Sequence, residues 1–209
     1  GWHQPRMMTV DEIKALVEDY GRAAARVVKA GFDVVDIHAA HGYLLHSFLS
    51  PVSNSRNDEY GGDRTGRMRL ALEIAECVRA NLPADMPLFF RISCVDWRKD
   101  LDDRTDGWMI EDSFVLAREL QKRGVDLIDC SSGGIRAENS LMDYAKKRKK
   151  LVRGFQVPYA EAIRNATGIP TMAVGVILDG PQAEAILQAG LADLIAIGRE
   201  ALNDPHWGV

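Results

Sequence analysis

The chain has 209 residues, 46% of them hydrophobic and 27% charged, enough for one domain around a sizeable core. A formal charge of −4 and a pI near 5.8 argue against nucleic acid as the main partner, and no apolar run approaches the roughly 20 residues that span a bilayer. The three cysteines, Cys77, Cys94 and Cys130, lie far apart with no C-x-x-C pair, which speaks against a disulfide framework, a zinc knuckle or an iron–sulfur site. With no signal peptide ahead of the first helix, a reducing, cytoplasmic setting is expected.

Residues 1–8 read as the tail of a loop. Thr9-Val10-Asp11-Glu12 is a capping box, and Ile13, Leu16, Val17, Tyr20, Ala24, Val27 and Val28 fall on one face of the helix it opens. Gly31 supplies the stop. Val34-Val35-Asp36-Ile37 is a short β-branched run, hence a buried strand, ending at His38. A polar loop to Asp63 follows, and a helix is predicted from about Arg67 to Leu82, closed by Pro83.

Leu88–Ser93 is the next strand. The acid-rich stretch Asp96–Asp106 lacks the D-x-D-x-D-G order of a calcium loop, so its aspartates are expected to be solvated. A helix from about Glu111 to Arg123, stopped by Gly124, leads to a strand at Leu127–Ser132. A long loop with the basic run Lys146–Lys150 precedes a helix with Pro158 in its first turn. That run is read as a solvated loop, with the phosphates of NADPH or a CoA thioester as its functional alternative. Pro170–Gly175, a helix Pro181–Ala189 and Leu194–Gly198 complete the series.

One grammar recurs. Lys29-Ala30-Gly31-Phe32-Asp33, Lys122-Arg123-Gly124-Val125-Asp126 and Gln188-Ala189-Gly190-Leu191-Ala192-Asp193 each give a helix end, a glycine and an aspartate at the mouth of an apolar strand. Alternating helices with apolar strands imply a parallel sheet, in an α/β fold. No G-x-G-x-x-G follows the first strand, against a dinucleotide-binding Rossmann unit. Five strands fall short of the eight, over about 250 residues, of a closed (β/α)8 barrel.

The chemistry-bearing residues gather at strand ends. His38, His41 and Tyr43 cluster where the first strand gives way to its loop, the usual place for catalysis in such folds. Arg91 lies inside an apolar strand and cannot shed its charge. It calls for an ion pair with Asp129 or Asp36, or for a ligand carrying delocalised negative charge. Gly175 and Gly198 end the last two strands, where backbone N–H groups can approach an anion, and Arg199 adds a phosphate partner. Asp36, His38 and His41, with Asp129, could instead be metal ligands of a barrel hydrolase.

His38-Ala39-Ala40-His41-Gly42-Tyr43-Leu44, Phe48-Leu49-Ser50-Pro51, Ser53-Asn54, Arg56 and Asp58-Glu59-Tyr60-Gly61-Gly62 strongly resemble the Old Yellow Enzyme family. The likeness continues through Phe90-Arg91-Ile92-Ser93, Asp129-Cys130-Ser131-Ser132-Gly133, Ala173-Val174-Gly175, Asp193–Glu200 and Asp204-Pro205. The pair of histidines resembles the xenobiotic-reductase branch. After Gly61-Gly62 the chain departs, with Asp63-Arg64-Thr65-Gly66-Arg67 where the family has Ser-Leu-Glu-Asn-Arg.

The resemblance implies an FMN-dependent, NAD(P)H-consuming ene-reductase on a (β/α)8 TIM barrel, acting on activated alkenes such as enones and nitroalkenes. Under it, residues 1–209 form a partial FMN-binding barrel, about strands 4 to 8, of a parent expected to be a homo-oligomer. His38 and His41 would bind the substrate's carbonyl or nitro oxygen, and Tyr43 would be the catalytic proton donor. Arg91, Gly175, Gly198 and Arg199 would hold the cofactor, with no metal. The alternative is an incomplete barrel without flavin. In either case the strands at Val34 and Leu194 are expected to be open edges.

Overall fold

The computed structural model describes residues 5–96, 105–135 and 152–208. The basic run Lys146–Lys150 lies outside them. Helix α1 (Val10–Lys29) opens on the Thr9–Glu12 capping box, both reciprocal bonds present, and ends at Gly31, whose φ of 77° suits a residue without a Cβ. Strand β1 (Val35–Ala39) follows, then α2 (Leu44–Leu49), α3 (Arg64–Ala80), β2 (Leu88–Ser93), α4 (Ile110–Gln121) and β3 (Leu127–Ser131). The chain goes on through α5 (Val157–Thr167), β4 (Thr171–Ala173), α6 (Gly180–Gln188), β5 (Leu194–Ile195) and α7 (Arg199–Asn203).

The five strands form one parallel sheet in the order β1-β2-β3-β4-β5. Within it β1 and β5 each pair on one side only, so the sheet is open, as expected from the strand count. Alternation divides each strand between two faces. Ile37, Ala39, Leu88, Phe90, Ile92, Ile128, Cys130 and Ala173 are buried in the core with side chains from α3, α4 and α5. Each large aliphatic or aromatic side chain so placed contributes about 1.5–3 kcal/mol.

The strands are not apolar on both faces, as their composition suggested. Register places His38, Arg91, Asp129 and Met172 side by side across four strands on the second face, with Asp36 two residues before His38. The face that the helices leave open is therefore the one that carries charge.

Four other expectations are corrected. The stretch after β1 is not all loop: Leu45, Phe48 and Leu49 bury one side of α2. Its polar continuation is held by Asn54, whose amide donates to Phe48 O and Tyr60 O, and by the buried Arg56, which donates to Met8 O and pairs with Asp58. Helix α3 starts three residues early because Asp63 caps it, accepting from Gly66 N at 2.9 Å. Asp96, at the head of the acidic stretch, is fully buried rather than solvated. The last strand is also shorter than Leu194–Gly198, and Gly198 stands at the N-cap of α7.

Candidate active site at the strand ends

Strand β1 delivers His38 to the open face, and the chain then reverses at His41-Gly42. Both adopt left-handed backbone, φ 61° and 76°. A Cβ on Gly42 would sit 2.2 Å from Gly134 O, so only glycine lets this turn pack against the loop after β3. His41 has no such licence. Its strained conformation is held by its own N–H, which donates to Ser93 Oγ at 3.0 Å, and by a ring hydrogen bond to Ser131 Oγ at 2.6 Å.

The turn brings three rings together. His38 stands edge-on to His41 at 5.2 Å between centroids and edge-on to Tyr43 at 5.4 Å. Tyr43 is 66% exposed, with its ring available to an incoming molecule. Burial and the nearby Arg91 guanidinium push the His38 imidazole below its ordinary pKa. The same causes, burial first, lower His41 to about 4. Both rings are therefore neutral near pH 7, and each has a single N–H to donate.

A second layer holds the turn in place. Gly42 N–H donates to His46 Nδ1 at 2.8 Å, which leaves the proton of His46 on Nε2, where it meets Asp96 Oδ1 at 2.8 Å. Both residues are fully buried. Asp96 is saturated by Ser50 Oγ and by Trp108 N at 2.7 Å. Gln156 does the equivalent work between β3 and β4. Its Oε1 accepts from Ser132 Oγ at 2.8 Å and stands 3.2 Å from Ser131 Oγ, while its Nε2 donates to Val174 O.

Sequence reasoning passed over His46, Asp96, Ser93, Ser131 and Gln156. A histidine three residues past Tyr43 was the one readable sign. The others meet only once the strands are aligned.

Arg91 projects beside His38, its Nε 3.4 Å from Asp129 Oδ2. That contact is long, and among the described residues both Arg91 Nε and Asp129 Oδ1 are buried without a hydrogen-bond partner. Burial, reinforced by Asp36, raises the Asp129 carboxyl to about 7 against the opposing pull of Arg91. The ion pair with Asp129 is present, long and, among the described residues, without hydrogen-bond support.

At the other end of the row, Gly175 (φ 115°) and Val176 (φ 53°) turn left-handed just after β4. A β-branched residue in that region is a genuine outlier. Gly198 and Arg199 follow the neighbouring β5, which pairs with β4. A Cβ on Gly198 would meet nothing within 4 Å, and Arg199 is exposed, without a partner among the described residues. Gly175, Gly198 and Arg199 thus follow the C-terminal ends of β4 and β5, the same end of the strands that β1 leaves at His41, while Arg91 lies within β2.

Among the described residues, no three His, Cys, Asp or Glu side chains group tightly enough to hold a metal ion, so Asp36, His38 and His41 are not assembled as ligands. A groove of about 470 Å³ opens between α5 and α6, walled by Val157, Pro158, Glu161, Gln182 and Ile186; none of the site residues lines it. None of the described helices is long and apolar enough to cross a membrane.

Comparison with known proteins matches this arrangement. The family model described as NADH:flavin oxidoreductase / NADH oxidase covers residues 2–209. An NADPH dehydrogenase of Bacillus subtilis is 46% identical over 205 residues, which are 97% of this chain and 55% of the relative. One of Geobacillus thermodenitrificans is 43% identical over 203 residues, with the same coverage of 97% and 55%. The chain thus spans about half the length of the curated relatives it matches.

Among solved structures, morphinone reductase with tetrahydroNAD superposes with a TM-score of 0.74 at 28% identity, over 99% of this chain and 50% of that one. An Old Yellow Enzyme homologue from Zymomonas mobilis gives 0.74 at 29% identity, over 98% and 53%. By its motifs, its open charged face and these matches, the chain belongs to the NADH:flavin oxidoreductase / NADH oxidase family, with Old Yellow Enzymes as structural neighbours.

Proposed function

We propose that this chain supplies about strands 4 to 8 of a (β/α)8 barrel that uses FMN and NAD(P)H to reduce activated C=C bonds in enones and nitroalkenes. The observation that carries the reading is Arg91. It is a guanidinium at the heart of a sheet, its buried Nε without a hydrogen-bond acceptor among the described residues and only loosely paired with Asp129, one strand away from a pair of neutral histidines and a tyrosine.

The residues fit the cofactor. Arg91 offers a fixed positive charge to a ring system that gains electron density on reduction. Gly175 and Gly198 leave backbone exposed at the ends of adjacent strands, and Arg199 is uncommitted beside them, suited to a phosphate. When bound, FMN takes hydride equivalents from NAD(P)H and passes them to the alkene. His38 and His41, the latter from Nδ1 with its Nε2 accepting from the Ser131 hydroxyl, donate N–H bonds to the substrate's carbonyl or nitro oxygen and draw electrons away from the double bond. Tyr43, the exposed phenol of the cluster, protonates the α-carbon.

One observation favours a second reading, a flavin-free piece of barrel: β1 and β5 are open edges, so the cavity lacks a wall. Titrating the chain with FMN and with riboflavin, followed by flavin fluorescence, separates the two readings. The proposed site binds FMN at least about tenfold more tightly than riboflavin, the scale of one charge-assisted phosphate contact, and Arg199→Ala removes that preference. Binding that ignores the phosphate, or no binding, overturns the cofactor site in this chain.

A further inference from the structure

The ring of His41 ends on a hydroxyl whose one proton has two places to go. Ser131 Oγ lies 2.6 Å from His41 Nε2 and 3.2 Å from Gln156 Oε1. Ser131 is 2% exposed and Gln156 5%, so each finds its partners within the protein. The amide of Gln156 has one orientation, because its Nε2 donates to Val174 O and its Oε1 therefore faces the two serines. Ser132 Oγ–H already donates to that oxygen at 2.8 Å.

His41 itself cannot move aside. Its N–H donates to Ser93 Oγ, whose own proton goes to Gly133 O at 2.7 Å, and a Cβ on Gly134 would sit 2.4 Å from His41 Cα. Two arrangements of protons remain. In one, Ser131 donates to His41 Nε2, and the neutral ring carries its proton on Nδ1, which has no partner among the described residues. In the other, Ser131 donates to Gln156 Oε1 and His41 donates Nε2–H to Ser131, so that Nδ1 is a bare acceptor. The shorter contact, and the prior claim of Ser132 on Gln156, favour the first.

We propose that Ser131 and Ser132 are positioning residues that select the tautomer of His41. Ser132 occupies Gln156, Ser131 is thereby left to donate to Nε2, and His41 keeps an N–H on Nδ1 for an incoming oxygen. The other two histidines of the turn are fixed the opposite way. Ala40 N–H donates to His38 Nδ1 at 3.3 Å and Gly42 N–H donates to His46 Nδ1 at 2.8 Å, so both carry the proton on Nε2. That the incoming oxygen is a substrate's carbonyl or nitro group rests on the proposed function. The tautomer does not, because every group that sets it belongs to this chain.

The test is the nitrogen–proton correlation spectrum of ring-labelled histidine in the full chain, without added flavin, at about pH 8, where His41 is neutral. His41 is expected as the Nδ1–H tautomer, His38 and His46 as Nε2–H. Ser132→Ala frees Gln156 Oε1 and draws the Ser131 proton to it. The His41 ratio then shifts toward Nε2–H by about threefold to tenfold, the scale of one hydrogen bond. Gln156→Met removes the competing acceptor and keeps His41 on Nδ1–H, and adding it to Ser132→Ala restores the parent pattern. His46 stays Nε2–H in every variant and reports that the turn is folded.

A parent chain with His41 on Nε2–H overturns the proposal whatever the variants do. So does a Ser132→Ala ratio equal to the parent's, or a shift that Gln156→Met does not reverse. Failure of the chain to bind FMN alters none of these readings, and a proton found on His41 Nε2 leaves the phosphate-dependent FMN titration as it is.

Discussion

Asp129 is the residue whose charge state depends most on this particular sheet. Its carboxyl sits at about 7 in the folded chain, against an ordinary 3.8, mainly because it is 1% exposed. A carboxyl raised in this way holds its proton more tightly when folded. Its stability contribution is complete below about 4 and is lost as pH rises through about 7. His41, lowered to about 4, acts in the opposite sense and loses its contribution as pH falls from 6.5 toward 4.

The two effects overlap, so the difference between variants is the useful quantity. Asp129→Asn, which resembles the protonated carboxyl, is expected to match the parent near pH 4. It should exceed it by as much as about 4 kcal/mol above pH 8, less whatever the Arg91 contact returns. Urea unfolding at the two pH values measures this. A gap that does not grow with pH would mean that Asp129 is ionised throughout and that Arg91 is fully paired.

At the scale of elements, the His41-Gly42 turn is specified twice, by the left-handed backbone and by the buried His46–Asp96 pair. Gly42→Ala puts a Cβ where Gly134 O already is and forces an L-residue to φ 76°. The expected cost is about 2–4 kcal/mol in urea unfolding, from a steric clash added to left-handed strain. A cost below 1 kcal/mol would show that the loop after β3 yields freely.

This turn also marks the limit of what could be read in advance. The helices were legible because caps and glycine stops act locally: Thr9, Glu12, Gly31 and Gly124 needed no tertiary information. His38, His41, Tyr43 and Arg91 were legible as chemistry because polar groups stand out against apolar strands. Asp96 was misread since nothing local distinguishes a buried aspartate from the solvated ones that follow it. Its burial is decided by His46, 50 residues earlier, and by Trp108. Asp63 was missed as a cap because the helix pattern becomes apolar only at Met68.

For the whole molecule, the open sheet is the dominant fact. One face is sealed by helices, while on the other Phe89 and Met172 are half-buried and Leu194 lies exposed on the β5 edge. A parallel sheet ordinarily has both faces covered. The isolated chain is therefore expected to self-associate, seen as a concentration-dependent mass in sedimentation. Leu194→Lys, a charge on the edge strand, should weaken association by on the order of 1–2 kcal/mol. A monomer at every concentration would show that the exposed apolar surface is too small to drive contact.

Asp126 and Asp193, whose carboxylates each accept from the first backbone N–H of the preceding strand, also carry an order of events. Each one fastens the beginning of a strand to a residue that comes later in the chain: Leu88 waits for Asp126, 38 positions on, and Thr171 for Asp193, 22 positions on. Leu88 and Thr171 are each synthesised before the aspartate that fastens them. Alignment must then propagate against the direction of translation, each completed helix–strand unit locking the one already made.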